Sequence, residues 1–292
     1  MVPQFTIITL YVVGALELML PLLILFFLRR RHTFAFSSII CGLAAYFIVN
    51  YVVINNVYTI IRLIAGDESF FLKQVSLGLF LEALLAALVL PPLAWFITKT
   101  LRRGKWTLYD TIAMAVGYWA LPMILDSAMQ VSSGSILQHA NKGTLDTLAS
   151  EEYPVELLNA LVESVSEQGP YMLCLERVLT IITQFIVFLC ILAVLLLVFY
   201  GVKRNRKVCL WLSMIIYCLV ICIINGTHHY LGYWVSLVIT LVLGAGAVYF
   251  IYRFLKYYRM QQIELIRKRK QFKEDQHEKY LKELEEKQKG RS

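Results

Sequence analysis

The sequence predicts an all-α fold: a polytopic membrane helical bundle of about seven transmembrane helices, with the N-terminus outside and the C-terminus in the cytoplasm. Three observations carry this. The 292-residue chain is 59% hydrophobic and 16% charged, against about 45–50% and about 25% in soluble domains. Its mean hydropathy is +0.64. Apolar runs of about 20 residues recur along most of it, the length a helix needs to cross a hydrocarbon core about 30 Å thick. This composition excludes a secreted disulfide scaffold, a disordered chain and a cytosolic enzyme.

The spans fall in order at about residues 5–28, 33–54, 75–98, 107–129, 171–200, 208–225 and 230–252, the fifth long enough to tilt. The first residues, Met1 to Leu10, carry no basic region and no small-residue cleavage site, so no cleaved signal is expected. Loop charge sets the orientation. One side holds eleven cations: Arg29, Arg30 and Arg31, then Lys99, Arg102, Arg103 and Lys105, then Lys203, Arg204, Arg206 and Lys207. The other side holds three: Arg62, Lys73 and Lys142. The cation-rich side is the cytoplasmic one, and the localisation implied is the cytoplasmic (cell) membrane.

Two domains are expected. Residues 1–253 form the transmembrane bundle, including an outer segment over 130–169 with an amphipathic helix. In that segment Asp146, Glu151, Glu152, Glu156, Glu163 and Glu167 outnumber a single Lys. Pro154 opens a stretch with Leu158, Leu161, Val162 and Val165 at i, i+3, i+4 and i+7, the spacing of one apolar helix face. Residues 254–292 form a charged cytoplasmic helical tail. From Arg253 onward there are thirteen basic and seven acidic residues, which accounts for six of the +8 net charge. Ile263 and Ile266 begin a heptad that Lys270, Lys273 and His277 interrupt, so a coiled coil is poorly supported. The run Arg267 to Lys270 suits anionic lipid as well as water. With the rest of the excess explained by orientation, nucleic-acid binding is not expected.

Chemistry-bearing residues are few. The cysteines Cys41, Cys174, Cys190, Cys209, Cys218 and Cys222 have neither zinc nor disulfide-framework spacing. Cys218 and Cys222 share a helix face but have no His or acid nearby, so they read as packing residues. The histidines, His32, His139, His228, His229 and His277, sit at span ends, in loops or in the tail. No metal site and no cofactor are expected. Catalytic templates such as H-E-x-x-H and G-x-S-x-G are missing, and the span lengths suggest no inverted repeat. Ionisable groups at bilayer depth cost a few kcal/mol, so Glu17, Glu82, Asp126, Glu176 and Arg177 are candidate functional residues. Interhelical bonding is the plainer role for them; Glu176 and Arg177, about 100° apart on a helix, should pair with other spans. Pro91-Pro92 should kink the third span sharply, and Gly117 to Pro122 interrupts the fourth. Two broken neighbours predict a shaped cavity.

The block Gly169-Pro170-Tyr171 through Leu175-Glu176-Arg177-Val178-Leu179, the basic turn Tyr200 to Arg204, and the Leu20-Pro21-Leu22 first span carry a resemblance. Over nearly the whole chain up to the tail, the sequence resembles the YhfC-type intramembrane proteases, grouped with the glutamic-type, CAAX-protease-like membrane peptidases. The resemblance implies catalytic residues that this chain lacks. Pro91, Pro92 and Trp95 stand where the third span of relatives has Glu-Glu-x-x-Arg. Gly117, Tyr118 and Pro122 stand in place of a Gly-His-Gly-Gly-x-Glu pattern. Gln184 and Tyr217 occupy positions of expected histidines, and Ile221 that of an acid. Peptide hydrolysis needs a base and an oxyanion donor set, and proline and tryptophan supply no carboxylate. The leading expectation is a catalytically degenerate member, a pseudoprotease that binds another membrane protein or segment, with Glu176 and Arg177 as a retained structural pair. Its rivals are an active peptidase using Glu82, Asp126 or Glu176, and a small-molecule or ion carrier using Glu17 and Glu82.

Overall fold

The computed structural model describes residues 2–66, 70–101, 105–148, 154–168, 170–231 and 233–289. Arg102, Arg103, Glu151, Glu152 and Gly169 lie outside these. Among the described residues there is helix and no strand, and seven helices are long and apolar enough to cross a membrane. They are Gln4–Arg31, Phe36–Ala65, Val75–Thr100, Leu108–Lys142, Tyr171–Arg204, Lys207–Thr227 and Trp234–Glu264. We label them spans 1 to 7. Apolar side chains such as Ile8, Leu22, Phe26, Val238 and Val242 are more than half exposed, which would be costly in water and is what a lipid-facing surface requires. The chain divides into Met1–Ala247 and Val248–Ser292. The second unit is helical as far as Lys289 and carries an exposed Lys270–Glu274 pair at 3.9 Å.

Span 4 is the axis on which the first two spans are assembled. Span 1 runs antiparallel to it. The Val2 amide donates to Asn141 Oδ1 at 2.8 Å, while Asn141 Nδ2 donates to the Val2 carbonyl. Gly134 lies under the Tyr11 ring, and Ser127 Oγ donates to the Gly14 carbonyl at 2.7 Å. Span 4 therefore continues thirteen residues beyond the predicted end at 129, stopping where Gly143, at φ 68°, closes a left-handed cap with Thr144 N donating to His139 O. The expected amphipathic helix is present at Val155–Gln168. Its Leu158 is buried, and Val162 and Val165 pack on a cluster of Val2, Ile7, Leu10, Leu137 and Leu173. The periodicity was sufficient there because one apolar face had one surface to cover.

Span 2 runs parallel to span 4 and touches it backbone to backbone. A Cβ on Gly42 would overlap the Met114 carbonyl and lie 2.6 Å from Tyr118 N. One on Gly117 would overlap the Ile39 carbonyl. Gly117 is thus a helix-crossing residue, not an interruption, and span 4 is helical without a break through Pro122. The expected break at Pro91-Pro92 is also not found: span 3 is continuous from Val75 to Thr100. Two missing bonds leave the flanking turns of a 26-residue helix intact, and Ala87 and Ala94, buried on the face of Pro91, leave room for its ring. The irregular helix is span 2, where Ile48–Ile54 widens to π geometry and Asn55 N donates to Asn50 O. Such π segments recur at functional sites.

Candidate functional site

A cavity of about 620 Å³ lies among spans 2 to 7, and each helix reaches it with a stripe of helical spacing. Span 2 contributes Tyr46, Asn50 and Ile54, the last two from the π segment. Span 3 contributes Leu79, Glu82 and Ala86; span 4, Tyr118, Trp119 and Pro122. From span 5 come Thr180, Thr183, Gln184, Val187 and Ile191. Span 6 adds Tyr217, Ile221, Ile224 and Asn225, its helix runs on to Tyr230 and brings in His229, and Ser236 and Leu237 come from span 7. The eleven-residue reach from Thr180 to Ile191 corresponds to a depth of about 16 Å. Thr180, Asn225, His229 and Ser236 mark the end of the bundle that carries Val155–Gln168. Tyr118 and Tyr217 form the floor, their hydroxyls 3.2 Å apart, both side chains almost fully buried.

The floor is held by packing on two sides. Tyr46 sits edge-on to Tyr118 with ring centroids 5.3 Å apart, and Asn50, beside them on the cavity wall, donates from Nδ2 to the Tyr46 carbonyl at 3.1 Å. Gly117 backs onto span 2, so the residue after it is forced to project from another face of span 4, toward span 6. Trp119, 1% exposed, lies tilted against Phe188 at 4.9 Å and edge-on to Phe185 at 6.2 Å. Among the described residues Glu82 is the one carboxylate lining the cavity, and no Lys or Arg lines it.

The sequence candidates therefore separate. Glu82, Tyr118, Pro122, Gln184 and Tyr217 come together here. Pro91, Pro92 and Trp95 do not line the cavity; the Trp95 ring instead covers Gly201. Glu17, Asp126 and Arg177 form a separate group where spans 1, 4 and 5 meet, near enough to interact electrostatically. Glu17 there is 1% exposed, with Oε2 unbonded among the described residues. Arg177 thus lies within electrostatic reach of acids on two other spans. Glu176 does not line the cavity either, and its carbonyl accepts from Thr180 Oγ at 2.8 Å. Tyr46, Asn50, Thr183 and Asn225 were missed. Their signal was polar side chains at helical spacing inside apolar runs, which a search confined to ionisable groups passes over. His229, read as an interfacial residue, stands exposed at the cavity mouth.

A seven-span membrane protein enclosing a partly polar, tyrosine-floored cavity is the class that fold and site define. The chain belongs to the YhfC intramembrane metalloprotease family, whose model matches residues 16–243. No curated protein and no solved structure matches the chain.

That description implies a metal ion, and the donors present do not fit one. A catalytic zinc takes three protein ligands from His, Cys, Asp or Glu. Among the described residues no three such side chains gather anywhere. The cavity offers Glu82 and His229, with phenols, amides and hydroxyls for the rest. These groups can hydrogen-bond a polar ligand and shield it from lipid.

Proposed function

We propose that this protein is a non-cleaving member of its family, a pseudoprotease that holds a short extended stretch of another membrane protein in the cavity. The observation that carries this reading is the identity of the lining: among the described residues Glu82 and His229 are joined at the cavity by Tyr118, Gln184 and Tyr217 and by no third metal donor, and the resemblance would place Tyr118, Pro122, Gln184 and Tyr217 at the family's motif. Depth narrows the occupant. An extended chain at about 3.3 Å per residue fits about five residues into that depth. Asn50, Thr183 and Gln184 suit the backbone groups such a strand exposes, which cannot go unpaired in a membrane.

Comparing protein termini in membranes from wild-type and deletion cells tests the absence of turnover. No terminus should change. A membrane-protein terminus that disappears on deletion, and returns with the wild-type gene but not with Glu82→Gln, would establish a peptidase and end this reading.

We further propose the cytoplasmic membrane as its location, with the N-terminus outside and the tail in the cytoplasm, because the loop cations divide eleven to three. The cavity mouth then faces the outer half of the bilayer. Green fluorescent protein fused after Ser292 should fluoresce, and alkaline phosphatase at the same place should be inactive. The reverse pattern would invert the topology.

A further inference from the structure

Three of the carboxylates within the spans have charged or polar company supplied by the protein. Asp110, 0% exposed, accepts from Ala35 N, Ser38 Oγ, Thr107 N and Thr107 Oγ at 2.8–2.9 Å. Glu17 and Asp126 share the field of Arg177. Glu82 differs: it is half-buried, it lines the cavity, and it makes no hydrogen bond or ion pair among the described residues. Its electrostatic neighbours are the phenols of Tyr46, Tyr58, Tyr118 and Tyr217. An acid at bilayer depth is costly unless something compensates it; among the described residues no Lys or Arg lines the cavity, and its one histidine, His229, stands exposed at the mouth.

We infer that the compensating charge comes with the ligand: the cavity binds an apolar body carrying one cationic group, an ammonium seated between the Glu82 carboxylate and the tyrosine floor. Carboxylate and phenol rings are complementary to it in two ways. The carboxylate pairs the charge in a site of low dielectric, and ring faces attract cations, with a strength of about 2 kcal/mol or more once desolvated. The apolar wall of Ile54, Val187, Ile191, Ile221 and Leu237 takes the body. Glu82 lies on the middle of the three turns that span 3 exposes, between Leu79 and Ala86, so the charge sits at mid-depth with apolar wall on either side of it. The inference rests on the binding reading above and adds the charge of what is bound. The same chemistry has two sources, a lysine side chain in an extended membrane segment or a free alkylamine.

Both can be tested with the full-length protein in nanodiscs by calorimetry. One pair of probes is dodecylammonium and dodecanol. The other is a blocked apolar hexapeptide with one lysine and its norleucine counterpart. In at least one pair the cationic member should bind wild type tenfold or more tighter than the neutral one. The preference should vanish in Glu82→Gln and persist in Asp146→Asn, an exposed acid outside the cavity. A preference in the peptide pair assigns the lysine source, and one in the alkyl pair alone assigns the free amine. Equal binding within both pairs, or a preference that survives Glu82→Gln, overturns the inference. Equal binding within both pairs, with the peptides bound, leaves the segment-holding function standing while this inference falls. Glu82-dependent binding of dodecylammonium with no binding of either peptide does the opposite. Absence of binding by all four overturns both.

Discussion

Gly117→Ala is expected to destabilise the protein by about 1–3 kcal/mol, the usual cost of overpacking a rigid contact, although alanine is the better helix former by about 1 kcal/mol. The sign is decided by what the new methyl group meets. At Gly117 it meets the Ile39 carbonyl, which is backbone and cannot rotate away, so spans 2 and 4 must part. At Gly226, also helical, it meets nothing within 4 Å, so Gly226→Ala should be neutral or stabilising by up to about 1 kcal/mol. Thermal unfolding in detergent, followed by tryptophan fluorescence, compares the two directly. Equal shifts for both would show that the crossing tolerates a Cβ. The consequence reaches the cavity, because Gly117 precedes Tyr118 and Gly42 lies one turn before Tyr46. Parting the two spans should separate the Tyr46 and Tyr118 rings from their 5.3 Å contact and weaken ligand binding along with stability.

This crossing also marks where the sequence was readable and where it was not. The spans were legible because each is a local average: about 20 apolar residues must lie in lipid wherever their neighbours are. The amphipathic helix at Val155–Gln168 was legible because its pattern has one face. Helix ends and irregularities depend on partners instead. Span 4 runs on through Gln130, Ser132 and Ser133, which lower hydropathy, because Asn141 and Tyr11 tie that stretch to the beginning of span 1. Gly143, the left-handed cap that ends it, was visible as a glycine after Lys142. Pro91-Pro92 looked decisive and proved tolerable within a continuous helix. Meanwhile the π segment, with only ordinary residues in Ile48–Ile54, gave no sign. Of the site, Glu82, Tyr118, Pro122, Gln184 and Tyr217 were named beforehand, the last four through the family resemblance. The cavity itself is assembled from two to five residues on each of six spans, and such long-range convergence leaves almost no trace in any one segment.

Asp110→Ala should be among the most damaging single changes, costing about 2–4 kcal/mol in unfolding experiments. One carboxylate oxygen accepts from Ala35 N and Ser38 Oγ at the start of span 2. The other accepts from Thr107 N and Oγ and completes a capping box at the start of span 4. Removing both oxygens leaves Ser38, 0% exposed, without its acceptor, and an unsatisfied buried donor costs about 1–3 kcal/mol. Loss of the cap adds about 1 kcal/mol, reduced to the extent that water reaches exposed Thr107. Asp110→Asn should fall between wild type and alanine, since its single oxygen can serve one helix but not both. Ser38→Ala in the Asp110→Ala background should cost almost nothing further, because the hydroxyl it deletes has already lost its acceptor. Additive losses in that double mutant would show that the two side chains act independently and that Asp110 does not join the helices. Because Tyr46 lies ten residues beyond Phe36, about 15 Å along span 2, and Tyr118 eight residues beyond Asp110 on span 4, this one carboxylate sets the relative register of two walls of the cavity. Reduced affinity for the cationic probe in folded Asp110→Asn would be the functional mark of that register.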